Sequence, residues 1–133
     1  MKLEKIRQVL MDGKFLGGGD LHEIDLDEIL DTRKEESFDS FWINSFKKFE
    51  SLPLSELDRE EIDKIRELAF KQTHKFTDNS ELSAYISDDF ELISRAIIVE
   101  ADDPFINSLW SSYRSGIIPH GEIELIEGKI NKI

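Results

Sequence analysis

Carboxylates are the only side chains present in enough number to do chemistry: the chain carries 29 acidic residues against 17 basic ones. They concentrate in two segments. The first holds Asp20, Glu23, Asp25, Asp27, Glu28, Asp31, Glu35 and Glu36 against Arg33 and Lys34. The second holds Asp78, Glu81, Asp88, Asp89, Glu91, Glu100, Asp102 and Asp103 against Arg95. Acid–base work needs two carboxyls converging on one atom in a cleft that shifts their pKa. Neighbours such as Asp88 and Asp89 diverge by about 100° on a helix. His22, His74 and His120 are isolated from one another, no serine stands in a Gly-x-Ser-x-Gly elbow, and there is no cysteine. His22 to Glu28 is rich in metal-binding residue types. It lacks both the His-Glu-x-x-His helix pattern and the calcium-loop pattern with its central glycine. Gly17-Gly18-Gly19 lacks the Gly-Lys-Ser/Thr ending of a phosphate loop. These patterns predict no catalytic site, no metal and no cofactor, with a carboxylate-based enzyme as the least favoured alternative.

What the acids suit is recognition. A net charge of −12 disfavours nucleic acid and anionic membranes, which require Lys and Arg to displace counterions. The richest basic patch, Lys2, Lys5, Arg7 and Lys14, is partly cancelled by Glu4 and Asp12. A basic protein partner is favoured instead, because opposite fields speed encounter and reject wrong partners. Helix capping accounts for some of the acids, but not for Glu100, Asp102 and Asp103 following so soon after Asp88, Asp89 and Glu91. The predicted contact set is Asp88, Asp89, Glu91, Asp102 and Asp103, with Tyr85 as an aromatic anchor. The N-terminus has no apolar signal region and no apolar run is long enough to cross a bilayer, so the expected location is cytoplasmic.

These residues must be positioned by helices. At 133 residues the expectation is a single domain, 1–133, with an unstapled core. Leu3, Ile6, Val9 and Leu10 recur at helical spacing, with Gly13 to end the helix. Asp25 and Glu28 form a variant capping box for a second. Phe38, Phe41, Trp42, Phe46, Phe49 and Leu52 draw one broad stripe that predicts an aromatic core helix ending before Pro53. Ser55 caps the next, whose acids come first and bases last, in accord with the helix dipole. Asp78 and Asp88 mark either two further starts or, since Leu82, Ile86, Phe90, Ile93 and Ile97 share a stripe, one longer helix. Asp103-Pro104 opens the last, closed by Gly116. Glu122 to Leu125 alternates briefly, which leaves a short C-terminal β element open. The fold predicted is mostly α, a compact bundle of about five to six helices.

Tyr85-Ile86-Ser87-Asp88-Asp89-Phe90-Glu91-Leu92-Ile93, continuing to Asp102-Asp103-Pro104-Phe105 and Leu109-Trp110-Ser111-Ser112-Tyr113, resembles bacterial toxin-immunity proteins of the polymorphic-toxin type. About a third of the chain carries the likeness. The paired tyrosines of nuclease-colicin immunity proteins are absent, so no family binding residue is transferred. The resemblance implies an inhibitor that binds a toxin's basic domain and performs no chemistry. The alternative is a non-enzymatic adaptor or regulatory domain with an apolar contact surface, for which the helix carrying Trp110 is one candidate.

Overall fold

A computed structural model describes residues 3–19 and 26–133. Its described elements run α1 (Glu4–Asp12), a 3-10 turn (Lys14–Gly19), α2 (Leu26–Arg33), α3 (Glu36–Phe49), α4 (Glu56–Thr77), α5 (Ser80–Ile98), α6 (Pro104–Arg114) and a final 3-10 turn (Ile130–Lys132). Six α-helices and no strand occur among the described residues. The chain is a helical bundle, as its periodicity requires.

The stops and starts follow local chemistry. Gly13 closes α1 at φ 65°, where a Cβ would cost conformational energy. Ser55 accepts from the Asp58 amide at the head of α4, and Asp103 accepts from the Ile106 amide with Pro104 at the first helical position of α6. Asp78, expected to open a helix, instead ends α4 in the left-handed region at φ 51°. Asn79 is the cap of α5, its Oδ1 accepting from the Leu82 amide at 2.9 Å. A short polar side chain tolerates both roles, and the acid fell one residue short of the capping position. Asp88 lies inside the uninterrupted α5, so the longer-helix reading holds. The capping role of Asp25 falls outside the described residues, as do His22 and Glu23 of the His22–Glu28 group.

Because two residues join α4 to α5, the pair must run antiparallel, and it forms the most extensive helix–helix contact in the molecule. Helix α5 is central. It buries Leu82, Ile86, Phe90, Leu92, Ile93 and Ala96 against α4, α6 and α3. Burying each of its larger side chains contributes about 1.5–3 kcal/mol. The expected aromatic stripe of α3 is graded: Phe38 and Phe49 are buried, Trp42 and Phe46 half-buried, and Phe41 exposed, stacked on Phe105 at 5.6 Å. The core extends from Leu3 to Ile130.

The C-terminal segment forms no ladder. Its carbonyls are taken by α6 side chains: Asn107 Nδ2 donates to Ile126 O and Gly128 O, and the Ser108 hydroxyl donates to Glu124 O. A strand needs an open neighbouring edge. Helix side chains satisfy this backbone instead, and Ile130 is buried as an anchor.

Candidate functional site

The six residues predicted to meet a partner divide into two that face inward, Asp89 and Asp103, and four that face outward. Asp89 is fully buried. Its Oδ1 accepts from Arg33 Nη2 at 2.7 Å and Trp42 Nε1 at 2.8 Å. Its Oδ2 accepts from Arg33 Nη1 at 2.9 Å and the Tyr113 hydroxyl at 2.6 Å. A carboxylate offers about four lone-pair sites, so Asp89 has none left for a partner. Arg33 also donates to Pro119 O, and its guanidinium lies over the Phe38 and Tyr85 rings at 4.7 and 5.3 Å. Burial works to lower the Arg33 pKa, but the charge and hydrogen bonds of Asp89 outweigh it and hold the group above its ordinary value. Tyr113 is raised well above the usual tyrosine value, first by burial and then by the Asp89 charge. This hub ties α2, α3, α5, α6 and the segment after α6 together.

Asp103 also faces inward. Beyond its cap bond it accepts from Ser45 Oγ at 2.9 Å and Lys48 Nζ at 3.1 Å, which binds α6 to α3. Both buried acids therefore leave the contact set predicted from sequence, for the same reason: their oxygens are already occupied inside the fold.

Tyr85, Asp88 and Glu91 share the outward strip of α5 with Glu81 and Arg95, as their spacing dictates. Asp88 and Glu91 hold Arg66 of α4 between them, at 2.9 and 2.7 Å. Burial raises the Asp88 pKa; Arg66 opposes this, while the Asp89 and Glu91 charges add to it. Asp102 is exposed, but follows the far end of α5. Asp102 does not line the groove beside this strip.

A half-open groove of about 210 Å³ lies beside this strip, lined by Arg33, Lys34, Phe38, Asp39, Trp42, Ile43, Tyr85 and Asp88. Its aromatic wall comes from α3 and α5, with Asp39 and Asp88 at the lining. Lys34 is paired with Glu81 at 2.7 Å, which draws the glutamate's pKa down and the lysine's up. Asp39, on the exposed face of α3, has no ion pair among the described residues. Asp39 was hidden in sequence among the aromatic residues that draw attention to the buried side of α3, and Arg33 was hidden because it was counted against nearby acids. Arg33 carried a signal, however: it stands four residues after Ile29, on the apolar face of α2.

The model of the family described as immunity protein PIM1 matches residues 5–120. The chain belongs to that family. The matched span contains the Asp89 hub and the whole lining of the groove. It stops before the final segment, although Ile130 is buried and its amide donates to Ala101 O. A comparison with curated proteins gives no match. Membership in the immunity protein PIM1 family carries an immunity-type function. Among the described residues, no cluster of His, Asp and Glu is arranged to hold a metal, and no helix is long and apolar enough to cross a membrane. Trp110 and Tyr113 are 3% and 1% exposed, so α6 does not present these two rings as a contact face.

Proposed function

We propose that this chain is the inhibitor of a toxin and acts by binding the toxin's basic domain, with no chemistry of its own. The observation that carries the reading is the immunity protein PIM1 match over nearly all of the helical bundle. The net charge of −12 supplies the complementarity to a basic partner. We further propose that the full chain works as one domain, in keeping with a core that runs from Leu3 to Ile130, and that it acts in the cytoplasm, where a producing cell must be protected.

The contact surface assigned here is the α3–α5 face: Tyr85 and Asp88 from the predicted set, joined by Asp39, with Glu91 at its margin. Asp102 is peripheral to it. Asp89 and Asp103 serve by holding the helices that present this face.

The test is co-expression with the toxin domain encoded beside the gene. The wild-type chain restores growth and forms a 1:1 complex by calorimetry. If Asp39→Lys/Asp88→Lys keeps its fold by circular dichroism and binds as tightly as wild type, the surface assignment is wrong. If the wild-type chain neither binds nor protects, the inhibitor reading is wrong.

A further inference from the structure

We infer that the groove between α3 and α5 receives a single arginine side chain of the partner, stacked on aromatic rings and held by Asp39 and Asp88. This rests on the inhibitor reading above and names what its central contact recognises.

Size is the first argument. At about 210 Å³ the groove falls below the roughly 300–1,000 Å³ of small-molecule sites, which suits one long side chain better than a cofactor. Its lining is the second. Trp42 and Tyr85, both half-buried, offer flat aromatic surface above the buried Phe38, and Ile43 adds an apolar edge that is 40% exposed. A guanidinium stacks on such surfaces and is more weakly hydrated than an ammonium, so Arg loses less than Lys on entering.

Charge is the third. The two cations in the lining are already matched: Arg33 by both oxygens of Asp89, Lys34 by Glu81. Asp88 shares Arg66 with Glu91, and Asp39 has no ion pair among the described residues. Glu35 and Glu36, just before Asp39 on the chain, likewise make no ion pair among the described residues. The unmatched charge at the groove is therefore negative. Arginine is also the cation most enriched among residues that dominate interface energies, which sit in desolvated pockets ringed by weaker contacts.

The Arg33–Asp89 pair is the base of this pocket. Trp42 Nε1 is fixed on Asp89 and Tyr85 lies against the Arg33 guanidinium. Two walls are therefore held by buried contacts before any partner arrives, which reduces the ordering cost of binding.

The experiment has two arms. In the first, the toxin domain is titrated against wild type, Asp39→Asn, Asp39→Lys and Asp39→Glu at 50 mM salt, and its arginines are paired with these variants in double-mutant cycles. The expected result is a loss of affinity of about tenfold or more for Asp39→Lys, near-wild-type affinity for Asp39→Glu, and one toxin arginine coupled to Asp39. In the second, N-acetyl-arginine amide, N-acetyl-lysine amide and N-acetyl-glutamine amide are titrated while the Trp42 indole N–H resonance is followed. Arginine amide shifts it at millimolar concentration, the others do so less, and Asp39→Lys abolishes the shift. Toxin binding undiminished by Asp39→Lys, with no coupled arginine, overturns the arginine anchor and leaves the inhibitor reading standing. Absence of toxin binding by wild type overturns the inhibitor reading. The amide arm then decides the groove's chemistry: an arginine-selective shift upholds it, and its absence ends it.

Discussion

At the scale of single residues, the deciding contrast is between two adjacent carboxylates. Asp88 and Asp89 differ by one position and about 100° of helix rotation. One is a half-exposed acid sharing an arginine; the other is sealed with four donors. Removing one member of a buried pair strands the other charge, at a cost of about 3–5 kcal/mol. Removing a surface partner costs about 0–1 kcal/mol. Asp89→Ala is therefore expected to lower unfolding free energy in urea by several kcal/mol, while Asp88→Ala changes it by about 1 kcal/mol or less. Equal effects would contradict the hub. Tyr113 adds a pH signature. Its folded pKa lies well above the ordinary tyrosine value of about 10, so its contribution is intact below pH 10. Above that, the unfolded chain releases the proton while the folded one retains it, and stability is lost as pH rises toward the folded value. Wild type should lose melting temperature faster than Tyr113→Phe between pH 9.5 and 11.5. Parallel curves would remove Tyr113 as the cause.

Element ends make a second kind of commitment. Helix α5 ends at Ile98, and the chain leaves through Glu100 at φ 52° with the Ala101 amide donating to Ala96 O at 2.9 Å. That is the left-handed closing geometry that glycine favours, occupied here by a glutamate whose side chain accepts a 3.4 Å contact from Asn131 Nδ2. Glu100→Gly is expected to stabilise the chain by about 1 kcal/mol, read as a higher melting temperature; a lower one would mean the Asn131 contact matters more than the torsion. Glu100 also shows how much of the element pattern was legible. Helix faces follow from the 3.6-residue period, so the stripes through Ile6 and Leu10, Ile62, Ile65 and Ala69, and Ile86, Phe90 and Ile93 were readable in advance. Ser55 and Asp103 were readable as caps, because the residue type and the following amides are adjacent in sequence. Asp78 was not, since Asp suits both a start and a left-handed stop. The site was legible only in part for the same reason. Periodicity places Tyr85 and Asp88 outward, but the burial of Asp89 depends on Arg33, 56 residues away. The clue available was that both charges lie on apolar stripes, Arg33 four residues after Ile29 and Asp89 between Ile86 and Ile93.

Over the whole molecule, charge and local contact act on different rates. A net charge of −12 sets a field that extends about a Debye length, about 10 Å at 0.1 M salt and 3 Å at 1 M. That field speeds encounter with a basic domain. On the proposed arginine contact, residence would then depend on what fills the groove and on the pairs sealed from solvent. The two contributions separate experimentally. Raising salt from 50 to 500 mM should slow association with the toxin domain by tenfold or more in stopped flow and change dissociation by only about twofold. Reversing Glu122, Glu124 and Glu127, all exposed and outside the groove lining, should slow association moderately and leave dissociation unchanged. Asp39→Lys should slow association and also speed dissociation, because it alters both the field and the pocket. An association rate indifferent to salt would mean that the acidity of this chain serves solubility rather than capture, and the contact would have to be found among its exposed apolar side chains instead.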